Sequence, residues 1–463
     1  MTRRLLFDVS GLVQWYAFLR YPSGIQRVAE NILSSLIRRY DRRVECIARP
    51  PGSMHFYSVP SSIISGLVHQ DGRELAISQL RRLFGDMVGV TPPTRLLPAM
   101  RYFHIPYVVL GYSRTTAIWQ AWATRQPPDF ALSAKEIVPP SAGDVLIGLG
   151  DFWCYREHVQ ALLDMKKKSR LRLVHMVHDL FSLERPEWSH PYYGPQFVSQ
   201  LEKLAPHVDH WMVNSRFVAN KLQSYLANGV GSIADIDVIP MGWDTAFPAA
   251  SASIDSDSKI LARFALPHLR YVLHVGSVEP RKNLQTLVNA FCRLHRDYKG
   301  AAPLCILVGQ NGWKVQEIRR QVKQANLDGE VIRWIGDAND RELAALYRKA
   351  LFTVVPSHTE GWGLAVQESL AHGTPCIASR AGGLPEAGID LARYVDPDDP
   401  EELYRAIVDW AFTPEANISV RSRVRQRMRT APPLATWDLA ADRVLEACEP
   451  QPLQDSCPRR VKA

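Results

Sequence analysis

The sequence contains no long apolar run. None of its 463 residues lies in a stretch approaching the roughly 20 apolar residues that a membrane-spanning helix needs. The opening segment, MTRRLLFDVSG, has an apolar run of only three residues, which is too short for the hydrophobic region of a signal peptide. We therefore expect any membrane contact to be peripheral.

Cysteine is also scarce. The chain has seven cysteines, an odd number, and they are widely spaced with no C-x-x-C arrangement. This pattern argues against a disulfide framework and against a zinc cage. A reducing cytoplasm is the simplest setting for such a chain, so we expect a cytoplasmic protein, with peripheral contact to the inner face of the membrane as an option.

A complete dinucleotide fingerprint is missing as well. Dinucleotide-binding enzymes carry G-x-G-x-x-G between a strand and a helix. The nearest match here, Gly148-Leu149-Gly150, lacks the third glycine. An epimerase or another dinucleotide enzyme is therefore a remote alternative.

Basic residues are numerous but form no dense stripe. The net charge of +8 favours anionic partners such as nucleotide diphosphates. Local clusters occur at Arg38-Arg39, Arg42-Arg43 and Lys166–Lys168. Each cluster is typical of a solvated surface, and contact with an anionic membrane is the alternative. Without a continuous basic stripe, we expect no nucleic-acid partner.

Strand and helix patterns alternate through the first half of the chain. Apolar runs of strand length are separated by segments with helical spacing, which predicts a parallel sheet. The predicted strands are 5–9, 144–149, 171–177 and 211–213, with helices at 25–36 and from Ser215 onward. Residues from about 50 to 140 are rich in Pro, Tyr and Arg, and we interpret them as an insertion of helices and long loops.

A second alternation follows a small, polar segment at 249–258, AASASIDSDS, which predicts a linker. The chain is therefore predicted to form two doubly wound α/β domains, whose sheets face each other across an interdomain cleft. The predicted boundaries are 1–248, 249–430 and a closing segment, 431–463. In the second domain, strands are predicted at 271–275, 304–308, 331–335, 352–355 and 376–378, and the segment 376–378 is predicted to be the last strand. Helices are predicted at 284–295, 315–325, 342–350 and 365–371.

The stretch Glu360–Glu368, EGWGLAVQE, is the strongest candidate for a binding site. Gly361 and Gly363 let the backbone approach a ligand, and the helix start offers free N–H groups to a diphosphate. The two glutamates lie eight residues apart, a little over two helical turns, so we expect both carboxylates to point the same way and accept hydrogen bonds from hydroxyls. By spacing alone, an ordinary strand–turn–helix with surface glutamates fits equally well.

A second candidate is Gly276–Asn283, GSVEPRKN, which also lies between a predicted strand and a predicted helix. Adjacent Arg281 and Lys282 at such a junction can hold a pyrophosphate. A solvated helix start is the alternative interpretation.

With VIPMGWD at 238–244, these motifs resemble a large family of retaining glycosyltransferases with the GT-B fold, which includes bacterial mannosyl-, glucosyl- and rhamnosyltransferases. The resemblance spans about residues 5–445 in the correct order. One departure is Ser277, where many members carry an arginine that Arg281 would replace.

Asp8 and SGIQRV at 23–28 resemble the acceptor-side loop of the polysaccharide-building members. The resemblance implies that 1–248 is the acceptor-side domain, that 249–430 binds the nucleotide sugar, and that 431–463 contains a crossover helix that packs back on the first domain and a tail. Further matching segments are VHDL at 177–180, VNSRF at 213–217 and Trp437 ahead of the crossover helix.

The resemblance implies a role for each matching position. Glu360 would bond the donor sugar, Arg281 and Lys282 would neutralise the diphosphate, and His178 would approach the sugar from the first domain. The remaining residues would contact the donor's phosphates, ribose or base. These are Gly276, Gly361, Trp362, Gly363 and Leu364, with Glu368 at the ribose, Gly24 near the phosphates and Gly336 near the base.

The resemblance also implies the reaction. Front-face displacement with retention needs no side-chain nucleophile, and the leaving phosphate oxygen takes the acceptor proton. We expect no metal, since the formal D-x-D at Asp255–Asp257 lies in the predicted linker.

The GIQRV and EPRKN variants most resemble mannosyltransferases, so the predicted donor is GDP-mannose. The predicted acceptor is a lipid-linked or growing glycan of a cell-surface polysaccharide, such as O-antigen or exopolysaccharide. A UDP- or dTDP-sugar donor, for glucosyl or rhamnosyl transfer, stays open. A non-catalytic protein that binds nucleotide sugars is the remote alternative.

Overall fold

The computed structural model describes residues 3–40, 43–50, 53–84, 134–153, 157–230, 234–243, 254–266, 270–430 and 435–449. The chain divides into two compact α/β units. Unit 1 contains Met1–Met241 and Trp437–Ala463, and unit 2 contains Gly242–Thr436.

Unit 1 is built on a seven-stranded sheet in the order β3-β2-β1-β4-β5-β6-β7. All neighbours are parallel except β2 and β3, which pair antiparallel at the edge. The central strands are almost entirely buried because helices cover both faces of a parallel sheet. The strands are β1 Leu5–Asp8, β2 Val44–Ala48, β3 Tyr57–Val59, β4 Val145–Gly148, β5 Arg172–Val177, β6 His210–Val213 and β7 Asp235–Val238.

The helices of unit 1 connect these strands and cover the sheet. The α-helices are Ser10–Phe18, Gly24–Tyr40, Ser61–Val68, Gln70–Leu83, His158–Ser169, Phe181–Glu184, Tyr193–Leu204, Arg216–Tyr225 and Trp437–Cys448, with shorter turns at Pro186–Trp188, Ala205–His207 and Leu226–Val230. The core beneath them includes Trp211, Phe152 and Leu173, each at most 1% exposed.

Unit 2 has a six-stranded, fully parallel sheet in the order β10-β9-β8-β11-β12-β13. Its strands are β8 Tyr271–Val275, β9 Leu304–Val308, β10 Ile332–Ile335, β11 Thr353–Val355, β12 Cys376–Ser379 and β13 Arg393–Val395. Its α-helices are Ile254–Ala262, Leu284–Tyr298, Gln316–Ala325, Asp340–Lys349, Leu364–Ala371, Leu384–Gly388, Pro400–Phe412 and Pro414–Thr430, with 3-10 turns at Pro280–Lys282 and Lys299–Ala301.

In each sheet, the order in which the chain adds strands reverses at one point. In unit 1 the chain runs from β1 outward to β2 and β3, then returns to the other side of β1 as β4. In unit 2 it runs from β8 to β9 and β10, then returns beside β8 as β11. Connections leave in opposite directions at such a switch point, so a crevice opens outside the carboxyl ends of its two strands. These pairs, β1/β4 and β8/β11, are where ligand sites are expected.

The last described helix, Trp437–Cys448, packs against Gly24–Tyr40 within unit 1. Ion pairs join the two segments: Arg39 lies 2.7 Å from Asp442, and Arg38 contacts Asp438. In the basic cluster Lys166–Lys168, Lys166 contacts the carboxylate of Asp209. These charges are balanced by nearby carboxylates, which weakens the membrane interpretation of those positions. Arg42 lies outside the described residues.

The structure differs from the sequence-based prediction in three places. The compact units meet between Met241 and Gly242 rather than at 248, and residues 254–258 of the predicted linker lie in a helix. That helix packs against Asp340–Lys349, so burial outweighs its small, polar composition. Residues 249–253, and 85–133 of the predicted insertion, lie outside the described residues.

The third difference is the strand count. The segment 376–378 was predicted to be the last strand, but β13 at Arg393–Val395 follows it, and β2, β3 and β7 were not predicted. These strands are short, and charged or half-exposed residues interrupt their apolar pattern. Within the described ranges, no helix is long and apolar enough to span a membrane.

Candidate active site

Glu360 lies at the switch point of unit 2, in the loop between β11 and the helix that begins at Leu364. Its side chain is 11% exposed. Residues 360–363 are not helical, so the predicted helical phase between Glu360 and Glu368 is wrong. The loop conformation is set instead by contacts with the segment that follows β8.

Two cations hold the Glu360 carboxylate. Lys282 Nζ lies 2.6 Å from Oε1, and the Arg281 guanidinium donates to Oε2. The hydroxyl of Ser357, itself fully buried, donates to Oε1 at 2.8 Å. Burial alone would raise the pKa of Glu360, but Arg281 and Lys282 outweigh it and lower the pKa to about 2. The carboxylate is therefore ionised across the physiological range.

Arg281 and Lys282 differ in how firmly they are held. The Arg281 guanidinium also donates to Glu279 at 2.8 Å and to the carbonyl of Thr359 at 2.9 Å. It thus ties the loop after β8 to the loop after β11. Among the residues that the structure describes, the Lys282 ammonium contacts only Glu360. Lys282 is consequently the cation that can turn toward a ligand.

The helix Leu364–Ala371 opens at this site without a side-chain cap. Gly363 stands at its N-cap with φ +116°, and a Cβ there would lie 2.6 Å from Leu384 Cδ2, so only glycine fits. Within the described part of the chain, no acceptor meets the backbone N–H groups of Leu364 and Ala365. These groups and the positive end of the helix dipole form an anion-binding position.

Two further glycines fix the Glu360 loop from the β12 side. A Cβ on Gly382, where φ is +61°, would lie 2.4 Å from the carbonyl oxygen of Glu360. The N–H of Gly383 donates to that same carbonyl at 2.8 Å. Sequence reasoning missed this pair, although two adjacent glycines in the turn between a buried strand and a helix are a recognisable signal of close backbone approach.

The other predicted donor-binding residues of unit 2 occupy varied positions. Trp362 donates its indole N–H to Gln367 at 2.7 Å, which holds the ring against the helix. Glu368 is 6% exposed and accepts a hydrogen bond from Tyr347 at 2.9 Å. Gly361 lies against the Gly382-Gly383 turn, and Gly336 follows β10 in open space. Their roles toward a donor stay predictions.

His274 is a site residue that sequence reasoning missed. It lies in the middle of β8, 1% exposed, and its Nδ1 is 2.9 Å from the carbonyl of Val354. Its Nε2 is buried and has no partner among the described residues. A Cβ on Gly276 would lie 3.4 Å from that nitrogen and 3.5 Å from Lys282 Cε. The signal was a histidine inside the apolar strand YVLHV, since a buried polar group needs a partner.

His178 lies at the corresponding edge of unit 1, after β5. It is 9% exposed, and its Nε2 donates to the carbonyl of Leu149 at 2.7 Å. Burial lowers the pKa of His178 to about 4, although that hydrogen bond opposes the shift, so the ring is neutral at pH 7. Gly24, also predicted to bind the donor, opens the helix Gly24–Tyr40 in the same unit.

Asp257, from the formal D-x-D, is held in place by an arginine. Its two oxygens lie 2.5 and 2.9 Å from Nη2 and Nε of Arg348. A carboxylate so paired is a structural anchor. Across the described ranges, no three His, Cys, Asp or Glu side chains are grouped closely enough to hold a metal ion.

Residues 262–427 match the family model for glycosyl transferases group 1. Among curated proteins, the serotype-specific mannosyltransferase WbdA of Escherichia coli is 24% identical over 431 residues, covering 91% of this chain and 43% of WbdA. The O-antigen chain mannosyltransferase B of Escherichia coli is 33% identical over 144 residues, covering 31% of this chain and 37% of that protein. The chain thus spans less than half the length of these mannosyltransferases.

A D-inositol 3-phosphate glycosyltransferase of Segniliparus rotundus is 28% identical, with 61% of each chain covered. Among solved structures, Anabaena HepE in complex with UDP-glucose has a TM-score of 0.58 at 14% identity and covers 96% of this chain and 100% of HepE. A UDP-forming trehalose-phosphate synthase from Burkholderia xenovorans has a TM-score of 0.54 at 17% identity, over 67% of this chain and 73% of the other. At such identities, the likeness to solved structures establishes a shared fold.

Proposed function

This chain belongs to the glycosyltransferases of the GT-B fold, and from that premise we propose that it transfers a hexosyl unit from a nucleotide sugar to a glycan. The favoured donor is GDP-mannose, and the favoured acceptor is a lipid-linked or growing saccharide of a cell-surface polysaccharide. The observation that carries the proposal is the switch point of unit 2. There Lys282, Glu360 and an open helix N-terminus converge on one position.

The charge balance of this site favours a diphosphate ligand. Arg281 and Lys282 are matched by Glu279 and Glu360, so the four groups are neutral together before a ligand binds. Because Arg281 is held by three acceptors, we assign it a positioning role. Lys282 then turns to the diphosphate, and the vacated Oε1 of Glu360 accepts a hydroxyl of the donor sugar.

In the proposed reaction, the bond from the sugar C1 to the phosphate oxygen breaks as the acceptor oxygen bonds to C1 from the same face. The acceptor proton passes to the departing phosphate oxygen, so the products are the glycoside and a nucleoside diphosphate. Lys282 and the helix N-terminus stabilise the charge that develops on the phosphate, in place of a metal ion. Glu360 is a poor nucleophile because two cations and a hydroxyl hold it.

The choice of mannose rests on relatives. WbdA and mannosyltransferase B are named as mannosyltransferases, and the latter matches at 33% identity over 144 residues. HepE binds UDP-glucose, which keeps a UDP-sugar as the second candidate donor. The name of the O-antigen chain mannosyltransferase supports a growing polysaccharide as the acceptor. The relative named as a D-inositol 3-phosphate glycosyltransferase indicates that related chains use other acceptors as well.

The proposal is tested with the purified protein and a panel of GDP-mannose, UDP-glucose and dTDP-rhamnose. Thermal shift identifies the donor that binds, and mass spectrometry with a saccharide acceptor detects transfer. We expect a selective shift with GDP-mannose and an α-linked product by NMR. A selective shift with UDP-glucose would replace the donor, and an inverted anomeric configuration would refute the retaining mechanism. Binding without transfer or donor hydrolysis would favour a non-catalytic scaffold.

A further inference from the structure

The switch point of unit 2 holds a buried nitrogen that the proposed reaction does not use. His274 lies in β8 and is 1% exposed. Its Nδ1 lies 2.9 Å from the carbonyl oxygen of Val354 in the neighbouring strand β11. A carbonyl oxygen can only accept a hydrogen bond, so Nδ1 carries a proton. Among the described residues, no hydrogen-bond partner reaches the other ring nitrogen, Nε2.

The His274 ring is neutral, so Nε2 is a hydrogen-bond acceptor. Burial lowers the pKa of His274 to about 4, the hydrogen bond to Val354 and the nearby Glu360 oppose the shift, and the nearby Lys282 adds to it. A neutral imidazole with its proton on Nδ1 presents a lone pair on Nε2. A buried acceptor without a donor is costly, so a donor that reaches Nε2 in another state of the site would be stabilising.

The donor that borders the same small space is Lys282. A Cβ on Gly276 would lie 3.4 Å from His274 Nε2, 3.5 Å from Lys282 Cε and 3.7 Å from Lys282 Nζ. The imidazole nitrogen and the end of the lysine side chain therefore both approach one point, and the glycine contributes no side chain to it. Rotation about the last bonds of the lysine can bring its ammonium toward Nε2.

Lys282 has more donors than its present partner uses. An ammonium carries three N–H donors and no acceptor. Within the described ranges, Nζ contacts only Glu360, whose Oε1 lies 2.6 Å away. When Lys282 turns from Glu360 to a diphosphate, its flexible stem does not fix the direction of the ammonium. A second acceptor at the side of its path does so, and His274 Nε2 occupies that place.

We propose that His274 is a positioning residue for Lys282: its Nε2 accepts a hydrogen bond from the ammonium when Lys282 turns from Glu360 to the diphosphate of the donor. Glu360 cancels the charge of the ammonium that it binds, whereas a neutral imidazole does not. The lysine therefore keeps its full charge for the leaving phosphate. This inference rests on the proposed function, since it adds to the donor site a residue that contacts neither the sugar nor the phosphate.

The test is a double-mutant cycle between His274 and Lys282 in the full-length protein, measured by isothermal titration of GDP. His274→Asn keeps a donor for the Val354 carbonyl but has no atom at the position of Nε2. It should bind GDP about tenfold more weakly than the wild type does. In the Lys282→Ala background the same change should alter the affinity by less than about twofold, because the ammonium that Nε2 would hold is absent.

His274→Gln tests the acceptor itself, because its amide oxygen can take the place of Nε2. We expect this variant to bind GDP within about threefold of the wild type. His274→Phe keeps a ring without either nitrogen, should lose as much affinity as His274→Asn, and supplies the measurement if that variant does not fold. The control is His295→Asn, which alters a histidine bonded to the carbonyl of Pro303 in the last turn of the helix Leu284–Tyr298 and should bind GDP as the wild type does.

A purely structural role for His274 predicts a different pattern. His274→Asn would then lower the melting temperature and weaken GDP binding by the same factor with and without Lys282. That result, or wild-type affinity in both His274→Asn and His274→Phe, would overturn the inference and leave the proposed function standing. Coupling between the two residues without any sugar transfer would instead refute the proposed function and leave the positioning role standing.

The nucleotide is chosen by the wild type. If it binds UDP rather than GDP, the cycle is measured with UDP, and the expected factors are the same. A wild type that binds neither nucleoside diphosphate would overturn both the inference and the proposed function.

Discussion

The two units share a topology, but the carboxylate at the switch point has different hydrogen-bond and charge partners in each unit. Glu360 follows β11 in unit 2, and Asp151 follows β4 in unit 1, which are equivalent places in the two sheets. Glu360 is bound by two cations and a hydroxyl, and its pKa is lowered to about 2. Among the described residues, one side chain donates to Asp151, the amide of Gln26, and burial raises the pKa of Asp151 to about 6.

The difference indicates what each site is built to bind. Unit 2 gathers cations and open N–H groups, so it suits an anion, with Glu360 as the counter-charge before the anion arrives. In the part of unit 1 that the structure describes, no lysine or arginine contacts Asp151, so this position is not arranged to hold an anion. Equivalent positions in the two sheets therefore carry carboxylates with opposite electrostatic surroundings.

The largest expected effect comes from removing the mobile cation of unit 2. Lys282→Ala should lower kcat by about 10²- to 10³-fold, because the charge that develops on the leaving phosphate loses its main partner. The control is Lys323→Ala, an exposed lysine on the helix Gln316–Ala325. Initial rates of GDP release at saturating substrates measure the effect. A rate within threefold of wild type would show that the site assignment is wrong.

A stability measurement contrasts the two carboxylates directly. Glu360→Gln leaves Lys282 without its counter-charge and Arg281 with Glu279 alone, so the free energy of unfolding should fall by about 3 kcal/mol. Asp151→Asn removes a poorly solvated charge and keeps the bond to Gln26, so stability should stay level or rise. Urea unfolding of both variants and the wild type supplies the comparison. A larger loss in Asp151→Asn than in Glu360→Gln would reverse our interpretation of the two sites.

Acid should affect the two sites differently. A folded-state pKa of about 6 means that Asp151 takes up a proton between pH 7 and 5, so the gain in the free energy of unfolding that Asp151→Asn shows over the wild type should shrink over that range. Glu360 stays ionised over that range, and donor affinity should change little. Asp8 and His158, the ionisable neighbours of Asp151, remain in Asp151→Asn, so that variant isolates the effect. A stability difference between Asp151→Asn and the wild type that stays the same from pH 7 to 5 would contradict the raised pKa of Asp151.

Buried histidines in both units predict a general loss of stability in acid. Burial lowers the pKa of His175 to about 3 and those of His178, His274 and His372 to about 4, all below the unfolded value near 6.5. The unfolded chain therefore binds more protons between those values, and the free energy of unfolding should fall as the pH drops from 6.5 to 4. Thermal melting at each pH measures the trend, and constant stability over that range would contradict it.

The smallest expected effect is that of metal removal. If Lys282 and the helix N-terminus at Leu364 neutralise the diphosphate, the chelator EDTA should leave the rate within about twofold of the untreated enzyme. The readout is GDP release before and after dialysis, with added Mg²⁺ and Mn²⁺ as the restoring control. A rate that collapses with EDTA and returns with one cation would assign phosphate neutralisation to a metal.

Sequence patterns predicted the fold and the candidate site of unit 2 more completely than the contacts of Asp151 in unit 1. The buried strands β1, β4, β5 and β6 consist mostly of apolar residues, so runs of apolar residues of strand length reveal them. The donor-side residues Arg281, Lys282 and Glu360 lie in short motifs beside glycines, and a local pattern is sufficient to find them. Their ion pairs join positions 78 and 79 residues apart, which no local pattern specifies.

The contact between Gln26 and Asp151 was not predicted, for the same physical reason. The two residues are 125 positions apart in the chain, and the fold brings the first turn of the helix Gly24–Tyr40 against the segment that follows β4. Asp151 follows two glycines in GLGD, which the sequence displayed as an incomplete nucleotide motif. Its left-handed backbone becomes visible only in three dimensions.

The central claim is that unit 2 binds the diphosphate of a nucleotide sugar through Lys282 and the helix N-terminus at Leu364. Isothermal titration of GDP into the wild type, Lys282→Ala and Lys323→Ala tests it most directly. We predict that the wild type and Lys323→Ala bind GDP equally and that Lys282→Ala binds it at least tenfold more weakly. Equal affinity in all three proteins would contradict the claim.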